Sequence, residues 1–184
     1  MQVTDSQGKV WSIDEGLRER ARLIKDQFPG HIGHVDLDQI IFIRLSNAYK
    51  DKWHGKCYFI GRNPFPIISK FVCYKLQSFG MLNLENTSSI DGDIFDLRFV
   101  IAINEDRISA QSGDIQRIED IVLLHEMMHI KESLDGLEKH DIEDFKALLD
   151  EFGTGWANGQ FKDEDEDFVP VSGGLESWNS PESD

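Results

Sequence analysis

The chain has 184 residues, 40 % of them hydrophobic, and a net charge of −15. That is enough apolar material for one domain with a buried core. The acidic balance excludes unassisted binding to nucleic acid, which needs a basic surface to release counterions. No apolar run approaches the ~20 residues of a membrane span, and the first residues lack a basic-then-apolar signal pattern, so a cytoplasmic protein with no membrane contact is expected.

In chain order, Ser12-Ile13-Asp14-Glu15 has the form of a capping box, with Ser12 as N-cap and Glu15 three residues on. Ile13, Leu17, Ile24 and Phe28 then recur at helical spacing until Pro29-Gly30, which is expected to stop the helix. His31 and His34 follow without a helical period or a flanking acid and read as structural. Gln39 to Leu45 is β-branched and aromatic and reads as a buried strand. His54 falls in a polar stretch beside Trp53 and is expected at the surface. Lys56 to Gly61 and Lys70 to Leu76 look strand-like, although Ile67 to Leu76 also fits a short helix. Cys57 and Cys73 have no C-x-x-C spacing and are expected to be buried free thiols. A polar segment from Asn83 to Asp93 reads as a loop. Asp96 to Asn104 alternates Leu97, Phe99, Ile101 and Ile103 with Arg98, Val100, Ala102 and Asn104, the pattern of a half-buried strand.

Asp114 is the expected N-cap of a helix carrying Ile115, Ile118, Ile121, Val122 and Met128. The face defined by Ile118 and Val122 continues into His125-Glu126-Met127-Met128-His129, an H-E-x-x-H sequence. Residues four apart on a helix sit one turn apart, with Cβ atoms ~5–6 Å from each other. Two imidazoles at that spacing can both reach one zinc ion at ~2.0–2.1 Å. Glu126 can then take a proton from a water held by the metal. The bland reading of the same residues is a buried helix whose histidines hydrogen-bond in the core.

A catalytic zinc takes three protein ligands as a rule. His140 lies beyond Gly136, which can break the helix and let the chain turn back. Asp135 has the spacing of a metzincin third ligand, but Glu132 stands where that pattern needs Gly. Glu143 and Asp144 are further acidic candidates. His140 is the favoured choice. A last helix is expected from Asp141 to Phe152, with Gly153 as its C-cap. From Phe161 to Asp184 there are eight acidic residues and one Lys, with no helical or strand period, and this stretch is expected to be disordered.

Leu123-Leu124-His125-Glu126-Met127-Met128-His129, then Gly136, then His140-Asp141 with Asp144-Phe145, resembles SprT/Spartan-type zincins. Upstream, Phe28-Pro29-Gly30-His31-Ile32, Ile40-Ile41-Phe42-Ile43-Arg44 and Phe99-Val100-Ile101-Ala102-Ile103 resemble the phage metallopeptidase family in content and order. The likeness covers Ile13 to Gly153. It implies an α+β, zincin-like single domain, with a small mixed β-sheet packed on the H-E-x-x-H helix, over residues 1–157, and the composition leaves 158–184 as an acidic tail. It further implies a zinc peptidase with His125, His129 and His140 as ligands and Glu126 as general base and acid. The strand Asp96 to Asn104 would offer its edge to an extended peptide. An acidic surface favours a basic protein or peptide substrate. Two other classes compete: a non-catalytic interaction protein stapled by zinc, such as a phage host-factor binder or defence inhibitor, and a zinc amidase or deamidase on the same scaffold.

Overall fold

Runs of apolar residues without polar alternation have to be covered on both faces, and the sheet of this protein is built that way. The computed structural model describes residues 1–60, 66–78, 97–110 and 114–136. β1 (Gln2–Thr4) and β2 (Val10–Ile13) form an antiparallel pair at the start of the chain. α1 (Glu15–Gln27) and the short turn α2 (Pro29–Ile32) lead to β3 (Ile40–Ser46). β4 (Gly55–Phe59), α3 (Pro66–Ser78), β5 (Phe99–Asn104), α4 (Glu105–Ser109) and α5 (Ile115–Asp135) follow. The strands make one five-stranded sheet in the order β1-β2-β3-β5-β4. β3 and β5 are parallel, and the other pairs are antiparallel. The α+β class expected from the sequence is the one observed.

Side-chain alternation divides the core into two layers. Phe42 of β3, Cys57 of β4 and Phe99, Ile101 and Ile103 of β5 pack on Leu17, Ala21 and Ile24 of α1 and on the apolar residues of α5. On the other face, Ile41, Ile43, Tyr58, Val100 and Ala102 meet Trp11 and the Ile67, Ile68, Phe71 and Val72 stripe of α3. Each fully buried Ile or Phe in these layers contributes about 1.5–3 kcal/mol relative to exposure.

The second layer corrects two expectations. Lys70 to Leu76 is not a strand but part of α3, so the helical alternative for Ile67 to Leu76 is the one realised. Its buried residues recur at helical spacing, and they cover the sheet face that a half-buried strand would have left open. All six residues of β5 are consequently buried, and the strand lies between β3 and β4. It has no free edge. Among the described residues the outer edge on that side of the sheet belongs to β4.

A third correction concerns the first helix. Ser12 is held in the β2–β3 ladder opposite Arg44, so it cannot cap α1. Asp14 does so, its carboxylate accepting from the Gly16 N–H at 2.8 Å. Pro29 opens α2 rather than merely ending α1, since a proline at the first helical position loses no intrahelical bond. Arg44 then ties α1 to α5, with Nε 2.8 Å from Asp14 and Nη1 2.7 Å from Glu119. Arg20 of α1 pairs with Asp120 of α5 through Nε at 3.0 Å. These ion pairs and the apolar layer fix the register of α5 against the rest of the domain.

His54, expected at the surface, is fully buried. Its backbone carbonyl accepts from the Asn104 N–H at 2.8 Å, which draws it under the sheet end. Burial, with the positive charge of Arg107 second, pushes its imidazole down to about 4. The unfolded chain takes up that proton near pH 6.5, so the folded state loses ground as pH falls through the window from 6.5 to 4. The expected contribution is a loss of about 2 kcal/mol at pH 5 relative to pH 7.5. Urea unfolding at the two pH values checks it: a His54→Gln variant shows a smaller pH dependence than the parent by about that amount.

No helix among the described residues is long and apolar enough to cross a membrane. The expected loop at Asn83 to Asp93, the helix from Asp141 to Phe152, His140 and the acidic tail lie outside the described residues.

Candidate metal centre

α5 begins where the sequence places it. Asp114 accepts from the Gln116 and Arg117 N–H groups at 3.1 and 3.2 Å, satisfying two of the donors a helix start leaves open. The helix ends at Gly136, whose φ of 69° is left-handed and whose N–H returns to the Glu132 and Ser133 carbonyls. A Cβ is disfavoured in that conformation, so the glycine makes the chain turn possible.

Between these caps α5 is packed by α1, α2 and α4 and by the sheet strands β4 and β5. Every residue from Ile121 to Ile130 is buried. His125, Glu126, His129 and Glu132 are buried among them, at 3 %, 0 %, 4 % and 5 % exposure. Two imidazoles and two carboxylates buried on one helix are costly to desolvate unless something of opposite charge or matching polarity meets them.

The one-turn spacing of the histidines brings their rings edge to face, with centroids 4.8 Å apart and planes at 73°. Their Nε2 atoms are 3.1 Å apart. Two nitrogens bound tetrahedrally to one zinc at ~2.0–2.1 Å would be separated by about 3.3 Å. The pair therefore already converges as a shared ligand set requires, and the nearby Glu126 and Glu132 carboxylates supply charge that a divalent cation offsets. These residues fit a metal. Among the described residues no third His, Cys, Asp or Glu completes a group able to hold one.

Of the other candidates, Asp135 is placed elsewhere, and His140, Glu143 and Asp144 lie outside the described residues. Asp135 pairs with Lys131 at 2.9 Å and lies 3.3 Å from His34 Nε2, on the partly exposed end of α5. Cys57 and Cys73 are both free, as expected, with Cys57 buried on β4 and Cys73 half-buried on α3. Burial, together with the nearby Glu126 and Glu132 carboxylates, pushes the Cys57 thiol well up. It is a neutral wall of the site and offers no thiolate.

Two residues that the sequence pattern did not single out shape this region. Glu132 stands three residues after His129, with Oε1 3.2 Å from His129 Nδ1. The i, i+3 spacing was the available signal. Gly55 on β4 faces Glu126 directly: a Cβ there would lie 3.0 Å from Glu126 Oε1 and 2.6 Å from Val122 Cγ1. Only the strand register, which the sequence does not display, reveals that approach. Gly55→Ala is expected to overpack the contact between sheet and helix and cost about 1–3 kcal/mol in urea unfolding. Gly30→Ala, where an added Cβ meets nothing within 4 Å, is expected to leave stability at or slightly above the parent's.

The fold and this helix define an α+β domain with an H-E-x-x-H sequence buried against a mixed sheet. The sequence matches the family described as putative phage metallopeptidase over residues 9–168, and the chain belongs to that family. No curated protein and no solved structure matches it. Membership of a metallopeptidase family implies a metal cofactor, in agreement with the donor set on α5.

Proposed function

We propose that this protein is a SprT-like zinc peptidase, with zinc held by His125, His129 and His140 and with Glu126 as general base and acid. The observation that carries the reading is the 3.1 Å convergence of the two Nε2 atoms one helical residue from a buried carboxylate. When bound, zinc supplies a Lewis acid that polarises the scissile carbonyl and lowers the pKa of a water. Glu126 takes the proton of the attacking water and returns it to the leaving amine, so that one carboxylate serves both steps. Gly55 gives its side chain room beside the sheet.

The substrate is a protein or peptide, and the acidic surface favours basic segments. An extended segment adds to the outer edge of β4, whose Gly55 end lies against Glu126. For a phage protein the setting is the cytoplasm of the infected host, with no direct nucleic-acid contact.

The complete burial of Glu126 favours a second reading, in which zinc is a structural staple in a binding protein. Cleavage of a mixed peptide library separates the two. The peptidase reading predicts cleavage that stops on chelation and returns with added zinc. Zinc-dependent folding without cleavage of any library member supports the staple.

A further inference from the structure

We propose that Gly55 is a positioning residue for Glu126, its bare Cα setting how far the Glu126 side chain reaches toward β4. This rests on the peptidase reading above.

The backbone at Gly55 does not call for a glycine. Among the described residues the glycines with a left-handed φ are Gly8 and Gly136, so Gly55 has a conformation open to other residues. Glycine weakens a strand interior and is found there where something approaches the backbone closely. What approaches here is the middle of α5. A Cβ on Gly55 would stand 2.6 Å from Val122 Cγ1, 3.0 Å from Glu126 Oε1 and 3.1 Å from Glu126 Cγ. The space that the glycine leaves is therefore shared by one packing residue and the assigned general base.

Neither backbone is free to open that space. β4 pairs with β5 along its whole length, from Gly55 opposite Ile103 to Phe59 opposite Phe99. Behind it, the Lys56 ammonium lies 5.0 Å from the Trp53 ring centre and 5.5 Å from that of Tyr58. α5 is held in turn by the Arg44–Glu119 and Arg20–Asp120 pairs. Val122 is β-branched, and such a side chain has one strongly preferred rotamer in a helix. Glu126, with three side-chain torsions, is the group that yields. Its carboxylate has to retreat by a few tenths of an ångström. Catalytic groups have to be held within about 0.5 Å of the productive geometry, and a Cβ at position 55 uses up that tolerance.

The test uses the full chain in four forms: parent, Gly55→Ala, Val122→Ala and Gly55→Ala/Val122→Ala. Val122→Ala removes the Cγ1 contact, so in the double variant the closest atoms left to the new methyl are those of Glu126. Crystal structures of the metal-free proteins read the carboxylate position. Turnover of one peptide that the zinc-loaded parent cleaves reads kcat and KM. Gly55→Ala is expected to move the carboxylate away from β4 by a few tenths of an ångström. It is expected to lower kcat about 10-fold, with KM and zinc content at the parent's level. The added methyl points at α5 rather than along the strand edge, so KM is spared. Measured against Val122→Ala, the double variant keeps both the displacement and the lower kcat.

If the glycine serves only to pack Val122, the double variant matches Val122→Ala in carboxylate position and in kcat. That result overturns the proposal. So does a Gly55→Ala chain with the carboxylate in the parent's place and an unchanged kcat. If Gly55→Ala fails to fold, the comparison of the double variant with Val122→Ala decides. A parent that cleaves no peptide sinks the peptidase reading separately, and the crystal structures still decide whether Gly55 sets the place of Glu126.

Discussion

Glu126→Gln is expected to abolish peptide cleavage while the chain still holds about one zinc. Gln has the shape of Glu, so it fills the space beside Gly55 and Val122 without a new clash. What it lacks is a basic oxygen. General acid–base catalysis contributes about 10²–10⁴-fold, and here one carboxylate is assigned both the proton removal and the proton return. A fall of about 10³-fold or more is therefore expected on any substrate the parent cleaves. Neither Nε2 atom of the histidine pair is touched by the change, so metal content stays at the parent's level. Parallel zinc content and turnover of one cleaved peptide check both halves. Cleavage that survives in the variant removes Glu126 from the chemistry.

His140→Ala is expected to have an effect of similar size by another route, through loss of the metal itself. Two ligands alone leave zinc weakly held, and removal of the third is expected to weaken binding by at least about 10²-fold and to abolish cleavage at limiting zinc. The comparison that gives this result meaning is Asp135→Asn. Asp135 is engaged with Lys131 and lies beside His34 at the end of α5, so its change is expected to leave zinc affinity within about twofold of the parent's. Glu143→Gln and Asp144→Asn serve as further controls. Zinc lost from one of these acids and retained in His140→Ala would assign the third ligand to the acid.

The H-E-x-x-H helix α5 was the most legible part of the chain. Its start at Asp114, its stop at Gly136 and its buried face are all local matters of capping and 3.6-residue period, and each is where the residues placed it. β3 was equally plain, because β-branched residues follow one another without a break. The failures share a physical cause, in that each depended on a neighbour distant in sequence. Ser12 looked like a cap until pairing with β3 held it extended, passing the cap to Asp14. β5 looked half-buried because Arg98 and Asn104 stand on the alternate face with Val100 and Ala102, and the resemblance to zincins implied that it would offer an edge. Val100 and Ala102 are apolar, however, and α3 covers them while β4 takes the outer position. His54 looked solvated beside its polar neighbours until the sheet end closed over it.

The site divides along the same line. His125, Glu126 and His129 are read from one pentapeptide because a helix makes their geometry local. Gly55 becomes visible only when β4 is laid against α5. Glu132 was overlooked for a different reason: it was weighed only as a missing glycine, although its i, i+3 spacing brings its carboxylate to 3.2 Å from the second ring nitrogen of His129.

Metal analysis of the full chain tests the central claim most directly. The chain is purified without chelator and without added metal, and the metals are quantified against protein concentration. The zinc reading predicts close to one zinc per chain, and a marked loss of zinc in His125→Ala and in His129→Ala. A folded parent that carries no zinc and takes none up on incubation would contradict it.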